Sequence, residues 1–204
     1  MAMANETDVQ KLGWALGPGG DAAARRLIDS TGNSNVGLGS SPVSSIVATE
    51  YQSSLTTQTV LAITNLSVTM TDTGGANGGY GSQKIYDFPA GLVGAIVRTN
   101  LTLTAAAGIS ATATVKHAVG SVAVSTSDTL NSTLANFIAS TNTVLVASAG
   151  TAKGASTAET ILDGTSAAVD LILNFGVADA GISASSSLTV NGTITVTWRN
   201  CAAA

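Results

Sequence analysis

The residues with chemical potential in this chain are few and scattered. His117 is its single histidine, and it lies on the apolar parity of the run Ile109, Ala111, Ala113, Val115, His117 and Val119. A metal site needs several ligands, and a Ser/His/Asp set needs its histidine beside a serine, so His117 is expected to be a packing or interface residue. Cys201 is the single cysteine; it cannot close an internal disulfide, and no base accompanies it to make a thiolate. The carboxylates are densest at Asp163, Asp170 and Asp179, but without the spacing of a calcium-binding loop. The glycine-rich run Asp72 to Gly81 has the composition of a phosphate cradle, yet that device leads into a helix, and here the strand-like Gln83, Lys84, Ile85 and Tyr86 follow. No Gly-x-Ser-x-Gly elbow occurs. Asn65, Asn100, Asn131 and Asn191 each head an Asn-x-Ser/Thr triplet, which chance explains where serine and threonine abound. The expectation is a non-enzymatic protein with no catalytic, cofactor-binding or metal-ligating residues and no cofactor.

Composition points the same way. Charged residues make up 10% of the 204 residues, against about 25% in ordinary domains. Aromatics make up 4% and the net charge is -4. Nucleic-acid binders carry a basic stripe; the adjacent Arg25 and Arg26 stand alone, so no nucleic-acid partner is expected. Met1 to Asp8 has no apolar core, so no signal peptide is expected. No apolar run of about 18 residues or more suggests a membrane span, and an intracellular product is expected. Interface cores are depleted in charge, so the scarcity of charge favours a subunit of an assembly.

The elements that must position these residues are strands. Val169, Leu171, Leu173, Phe175 and Val177 alternate with Asp170, Asn174 and Gly176, and Leu188, Val190, Ile194, Val196 and Trp198 alternate with threonines. Successive side chains of a strand face opposite ways, so each run is expected to have an apolar and a polar face. Leu188 to Trp198 keeps its parity across Asn191-Gly192, which reads as one long strand with a glycine kink. Val60 to Met70 slips parity near Ile63 to Asn65, which predicts a bulge. Ala106-Ala107-Gly108 predicts a hairpin connection. Leu130, Leu134, Phe137 and Ile138 fall at helical spacing and predict one short helix or turn. Val144 to Ala147 predicts a short strand, and Gly150 to Gly164, with Lys153, Glu159 and Asp163, a polar loop.

Residues 1–54 differ in character. Gly17-Pro18-Gly19-Gly20 interrupts the chain, Asp21 suits the cap of a short helix over Ala22 to Ile28, and Ser30 to Ser45 has linker composition. Leu12, Trp14 and Leu16 form a small apolar cluster, which fits either an arm anchored on a neighbour or a tail folded back. The expected fold is all-β: an antiparallel β-sandwich, jelly-roll-like, over 55–204, with an extended, mostly irregular N-terminal arm over 1–54. Strand order stays open, because an immunoglobulin-like sandwich has the same local pattern.

Two stretches carry a resemblance. Lys84-Ile85-Tyr86-Asp87-Phe88-Pro89-Ala90-Gly91 continues into Leu92 to Thr104. Leu162-Asp163-Gly164-Thr165-Ser166-Ala167-Ala168-Val169-Asp170-Leu171-Ile172-Leu173-Asn174-Phe175 is followed by Leu188 to Trp198. Together they resemble tailed-bacteriophage virion proteins that accompany the major capsid protein, over about Leu55 to Arg199. The resemblance implies a capsid decoration (cement) protein, a homotrimer on the capsid exterior, made in the host bacterial cytoplasm, whose partner is the major capsid protein lattice. It transfers no site residues. The alternative is a head-fibre or tail-associated receptor- or carbohydrate-binding module, for which Tyr51, Tyr80 and Tyr86 are the candidate exposed aromatics. A depolymerase lacks its acid/base set, and the length suits an accessory role better than the major shell protein.

Overall fold

Alternation sets the architecture. The computed structural model describes residues 43–52 and 56–201, and its strands are β1 (Ile46–Gln52), β2 (Thr57–Asp72), β3 (Gly79–Asp87), β4 (Gly91–Ala105), β5 (Thr114–Gly120), β6 (Ile138–Val144), β7 (Ala149–Ala155), β8 (Thr160–Gly164), β9 (Asp170–Val177) and β10 (Ser186–Asn200). Every pairing is antiparallel. The path runs β6-β5-β9-β3-β2-β10-β4-β7, with β1 added beside β2 and β8 beside β4. It divides into a front sheet, β1-β2-β10-β4-β7/β8, and a back sheet, β3-β9-β5-β6. The two meet where Thr71 and Asp72 of β2 pair with Tyr80 and Gly79 of β3. From β2 to β10 the chain crosses between the sheets at nearly every connection. This double Greek-key order is a jelly roll.

The core lies between the sheets. From the front come Leu61, Leu66, Val68, Met70, Leu101, Leu103, Val190 and Ile194; from the back come Val115, Val119, Ile138, Leu171, Leu173 and Phe175, all at most 2% exposed. Phe88 sits edge-on to Tyr86 and Trp198, with centroids 5.2 and 5.8 Å away.

The expected bulge and kink are one device. Ile63 faces Gly192 and Leu66 faces Val190, so Thr64 and Asn65 together oppose Asn191. Asn65 takes φ 51°, and its backbone N–H donates to Asn191 Oδ1 at 2.7 Å. Gly192 takes φ 129°, and a Cβ there would stand 2.3 Å from the Asn100 carbonyl oxygen; only glycine fits.

Four expectations are corrected. First, regular structure begins within 1–54: β1 pairs with β2 along its length, and Ile46 is 5% exposed. Residues 1–42 lie outside the described residues, and with them Trp14, its apolar cluster, Arg25, Arg26 and the Asp21 helix. Second, Ala106-Ala107-Gly108 does not close a hairpin. It carries the chain from β4 in the front sheet to β5 in the back, and residues 109–113 form only the isolated bridge of Ile109 to Ile182. Third, 150–164 is no loop: β7 and β8 pair with successive halves of β4. Fourth, 144–147 is no strand of its own: Val144 ends β6, and 145–148 turn the chain into β7. The segment 128–140 holds the expected short turn, a 3-10 turn at Ser132–Leu134. Its apolar residues serve two sides, for Leu130 packs outside the back sheet while Phe137 and Ile138 enter the core.

That segment, 121–137, is a flap over the back sheet, so β9 is buried on both faces from Leu171 to Val177. Val124 and Leu130 pack on Ala118, with Tyr80 and Leu134 against them. Asn174, 0% exposed, pins the flap: its Nδ2 donates to Val122 O at 2.9 Å and Leu134 O at 2.8 Å, and its Oδ1 accepts from Val124 N at 3.0 Å. A Cβ on Gly176 would meet the Asp128 carbonyl oxygen at 2.4 Å. Lys116 Nζ closes on Asp128 Oδ2 at 2.6 Å.

Candidate interaction surface

At one end of the sandwich the connections β2–β3 (73–78), β4–β5 (106–113), β6–β7 (145–148) and β9–β10 (178–185) come together. Their residues are alanine, serine, glycine and threonine with one asparagine, Asn77, and a few larger apolar residues, and Asp179 is the single charged residue among them. Ala106, Ala107, Ala111, Ala147, Ala178, Ala180 and Ala184 are exposed. Val144 and Val146 project at 62% and 74% exposure.

Backbone hydrogen bonds lace these loops in series. The Asp72 amide, at the base of the first, donates to Ser185 Oγ at 3.0 Å. Ser110 N donates to Gly181 O and Ser183 N to Gly108 O, each at 2.8 Å. Ser148 N donates to Ala111 O and Leu145 N to Ala113 O, each at 2.9 Å. The β6–β7 turn is a two-residue hairpin: Val146 N donates to Ala149 O at 2.7 Å and Ala149 N to Val146 O at 3.1 Å. Ala147 and Ser148 there take φ 50° and 68°, the geometry that Asn-Gly fills without strain. Loops tied this way lose little freedom when something docks on them, and small side chains let a partner backbone come close.

The charges gather elsewhere. Lys84 Nζ lies 2.6 Å from Asp87 and 3.1 Å from Asp170. Desolvation, with the neighbouring Asp87 adding to it, holds the Asp170 carboxyl above its ordinary range. Arg199 clasps Glu159 with two bonds of 2.7 Å, which lowers the Glu159 pKa. Asp163 accepts from the Thr165 hydroxyl at 2.6 Å, which lowers its pKa too. Beside it, Ser121, Leu162, Ala167, Ala168, Val169 and Asp170 complete a shallow pocket of about 250 Å³. Asp179 stands at the loop end, away from Asp163 and Asp170. Among the described residues no three His, Cys, Asp or Glu side chains are placed to share a metal ion.

His117 is buried between β4 and β6. Its Nδ1 lies 2.7 Å from Thr141 Oγ1 and its Nε2 3.4 Å from Thr99 Oγ1. Burial lowers its pKa to about 4, against the opposing pull of Thr141, so the ring is neutral near pH 7. Cys201 is half-buried, with Sγ 3.9 Å from Arg199 O.

Of the aromatics expected to be exposed, Tyr86 is fully buried; its hydroxyl donates to Glu50 Oε1 and accepts from Thr59 Oγ1 at 3.3 Å. Trp198 Nε1 donates to the same Thr59 oxygen at 2.9 Å. Tyr80 is half-buried beneath the flap, and Tyr51 is 42% exposed. The sequence reading missed the loop platform, because its parts lie far apart along the chain and each reads as an ordinary turn. It also missed Asn174 as the anchor of the flap.

No helix among the described residues is long and apolar enough to cross a membrane. No protein-family model, curated protein or solved structure matches the chain.

Proposed function

We propose that this chain is a non-enzymatic bacteriophage capsid decoration (cement) protein. It binds the assembled head as a homotrimer and stabilises contacts between major capsid subunits. The observation that carries the reading is the nearly charge-free, hydrogen-bond-laced loop end with Val144 and Val146 at its surface. Such a surface suits permanent packing against a lattice better than exchange with a soluble ligand. The resemblance over Leu55 to Arg199 supports it. The jelly roll is compatible with it without choosing it, because the same topology serves capsid proteins, lectins and cupins.

Cement action needs no catalysis. A protein that binds the assembled shell and not its loose subunits stabilises the shell by mass action, and several contacts per trimer reinforce one another through effective concentration. A carbohydrate-binding module is the weaker reading, because the described aromatics other than Tyr51 are wholly or partly buried. The test is co-sedimentation of the labelled chain with assembled heads of its phage and with unassembled major capsid protein. Saturable binding to heads alone is the expected result. Equal binding to loose subunits, or none to heads, rejects the reading.

A further inference from the structure

The back sheet is covered by its flap, whereas the outer face of the front sheet carries the threonines of β10 and the exposed residues of β4 and β7. Of the five cations among the described residues, Lys84, Lys116 and Arg199 are held in ion pairs. Arg98 and Lys153 make no ion pair among the described residues, and both point outward from this face and are exposed. The register brings them together. Asn100 pairs with Lys153 and Arg98 with Ala155, so Arg98 and Lys153 are diagonal neighbours on adjacent strands, their Cα atoms about 7 Å apart. Thr195 flanks Arg98 on the other side. Ile96, 38% exposed, is the next outward residue of β4. The nearby carboxylate Glu159 is already held by Arg199.

Two like charges side by side weaken a sheet slightly. Here they stand on a face whose other charges, Arg199 paired with Glu159 and Asp163 on β8, lie beside Gly94 and Leu92 towards the start of β4, and whose remaining outward side chains are hydroxyls, amides and apolar groups, in a chain of net charge -4. We infer that the outer face of the front sheet docks on an acidic protein surface, with Arg98 and Lys153 together receiving carboxylates of the partner. The Arg98 guanidinium offers the fork that a carboxylate accepts in two bonds. Ile96 and the Thr195 methyl add a small apolar contact beside it. A nucleic acid would call for a longer basic stripe than two cations. The inference does not depend on the loop end or on the capsid reading.

The test uses the full chain, isotope-labelled, titrated by NMR with a polyglutamate peptide and separately with a DNA duplex. The peptide is expected to shift the resonances of Arg98, Lys153 and Thr195. Raising the salt should reverse those shifts. The double variant R98E/K153E should weaken peptide binding about tenfold or more while its thermal midpoint stays unchanged, as expected for exposed positions. R98K should weaken it less, because the charge stays and only the fork is lost. Peptide shifts centred elsewhere, binding unaltered in R98E/K153E, or DNA binding at these residues as tight as the peptide's would each overturn the inference.

Discussion

Asn174 shows how one polar side chain can hold a segment of irregular chain. The flap over the back sheet has few backbone partners of its own, and a buried carbonyl or amide left unpaired costs about 1–3 kcal/mol. Asn174 supplies an acceptor and two donors to three such groups. Asn174→Ala is therefore expected to lower stability by roughly 3 kcal/mol, and amide exchange across 121–137 should speed up more than in β10. Unchanged protection of the flap would remove Asn174 from this role. His117 makes a pH prediction. Its folded pKa of about 4 lies below the ordinary value near 6.5, so between these limits the unfolded chain takes up a proton that the folded chain refuses. Stability is whole above pH 6.5 and falls as the pH drops to about 4, by roughly 3 kcal/mol in all. Urea midpoints measured across that range should lose this slope in His117→Gln. The burial of His117 was legible from its parity. That of Asn174 was not, because alternation assigns it to a polar outer face, and the cover that buries this face comes from a loop some forty residues away.

At the scale of elements, the legible strands are those with one apolar and one polar face. The kinked β10 and the bulged β2 were readable for that reason. The short strands β7 and β8 were not, since both lie at the front-sheet edge beside β4, where small and polar residues suffice and no apolar stripe is required. The helical spacing from Leu130 to Ile138 yields only the single turn at Ser132–Leu134, because its apolar residues face two different layers. The β6–β7 hairpin supports a sharper test. Ala147 and Ser148 hold left-handed backbone, a strain of order 1 kcal/mol for such residues. Replacing them together, Ala147→Asn with Ser148→Gly, should raise stability by about 1 kcal/mol, read as a higher denaturant midpoint with an unchanged slope. A lower midpoint would mean that the turn is not of this type.

At the scale of the molecule, strand order joins residues distant along the chain, and no local pattern reports it. The jelly roll was therefore one of several sandwiches compatible with the sequence, and the loop end it assembles became visible only with the fold. If that end seats on a lattice, a charge placed there should abolish binding without harming the fold. Val146→Asp and Ala184→Asp, both at exposed positions, are expected to leave the thermal midpoint within about 1–2 °C of the parent and to reduce head binding at least tenfold. Light scattering should return a trimer that survives dilution. Electron cryo-microscopy of assembled heads incubated with the chain decides whether it decorates the capsid. Threefold-symmetric density is expected at regular sites on the head exterior, with the Val146 end of each sandwich against the shell. Heads that remain bare, or density confined to the tail, would contradict decoration.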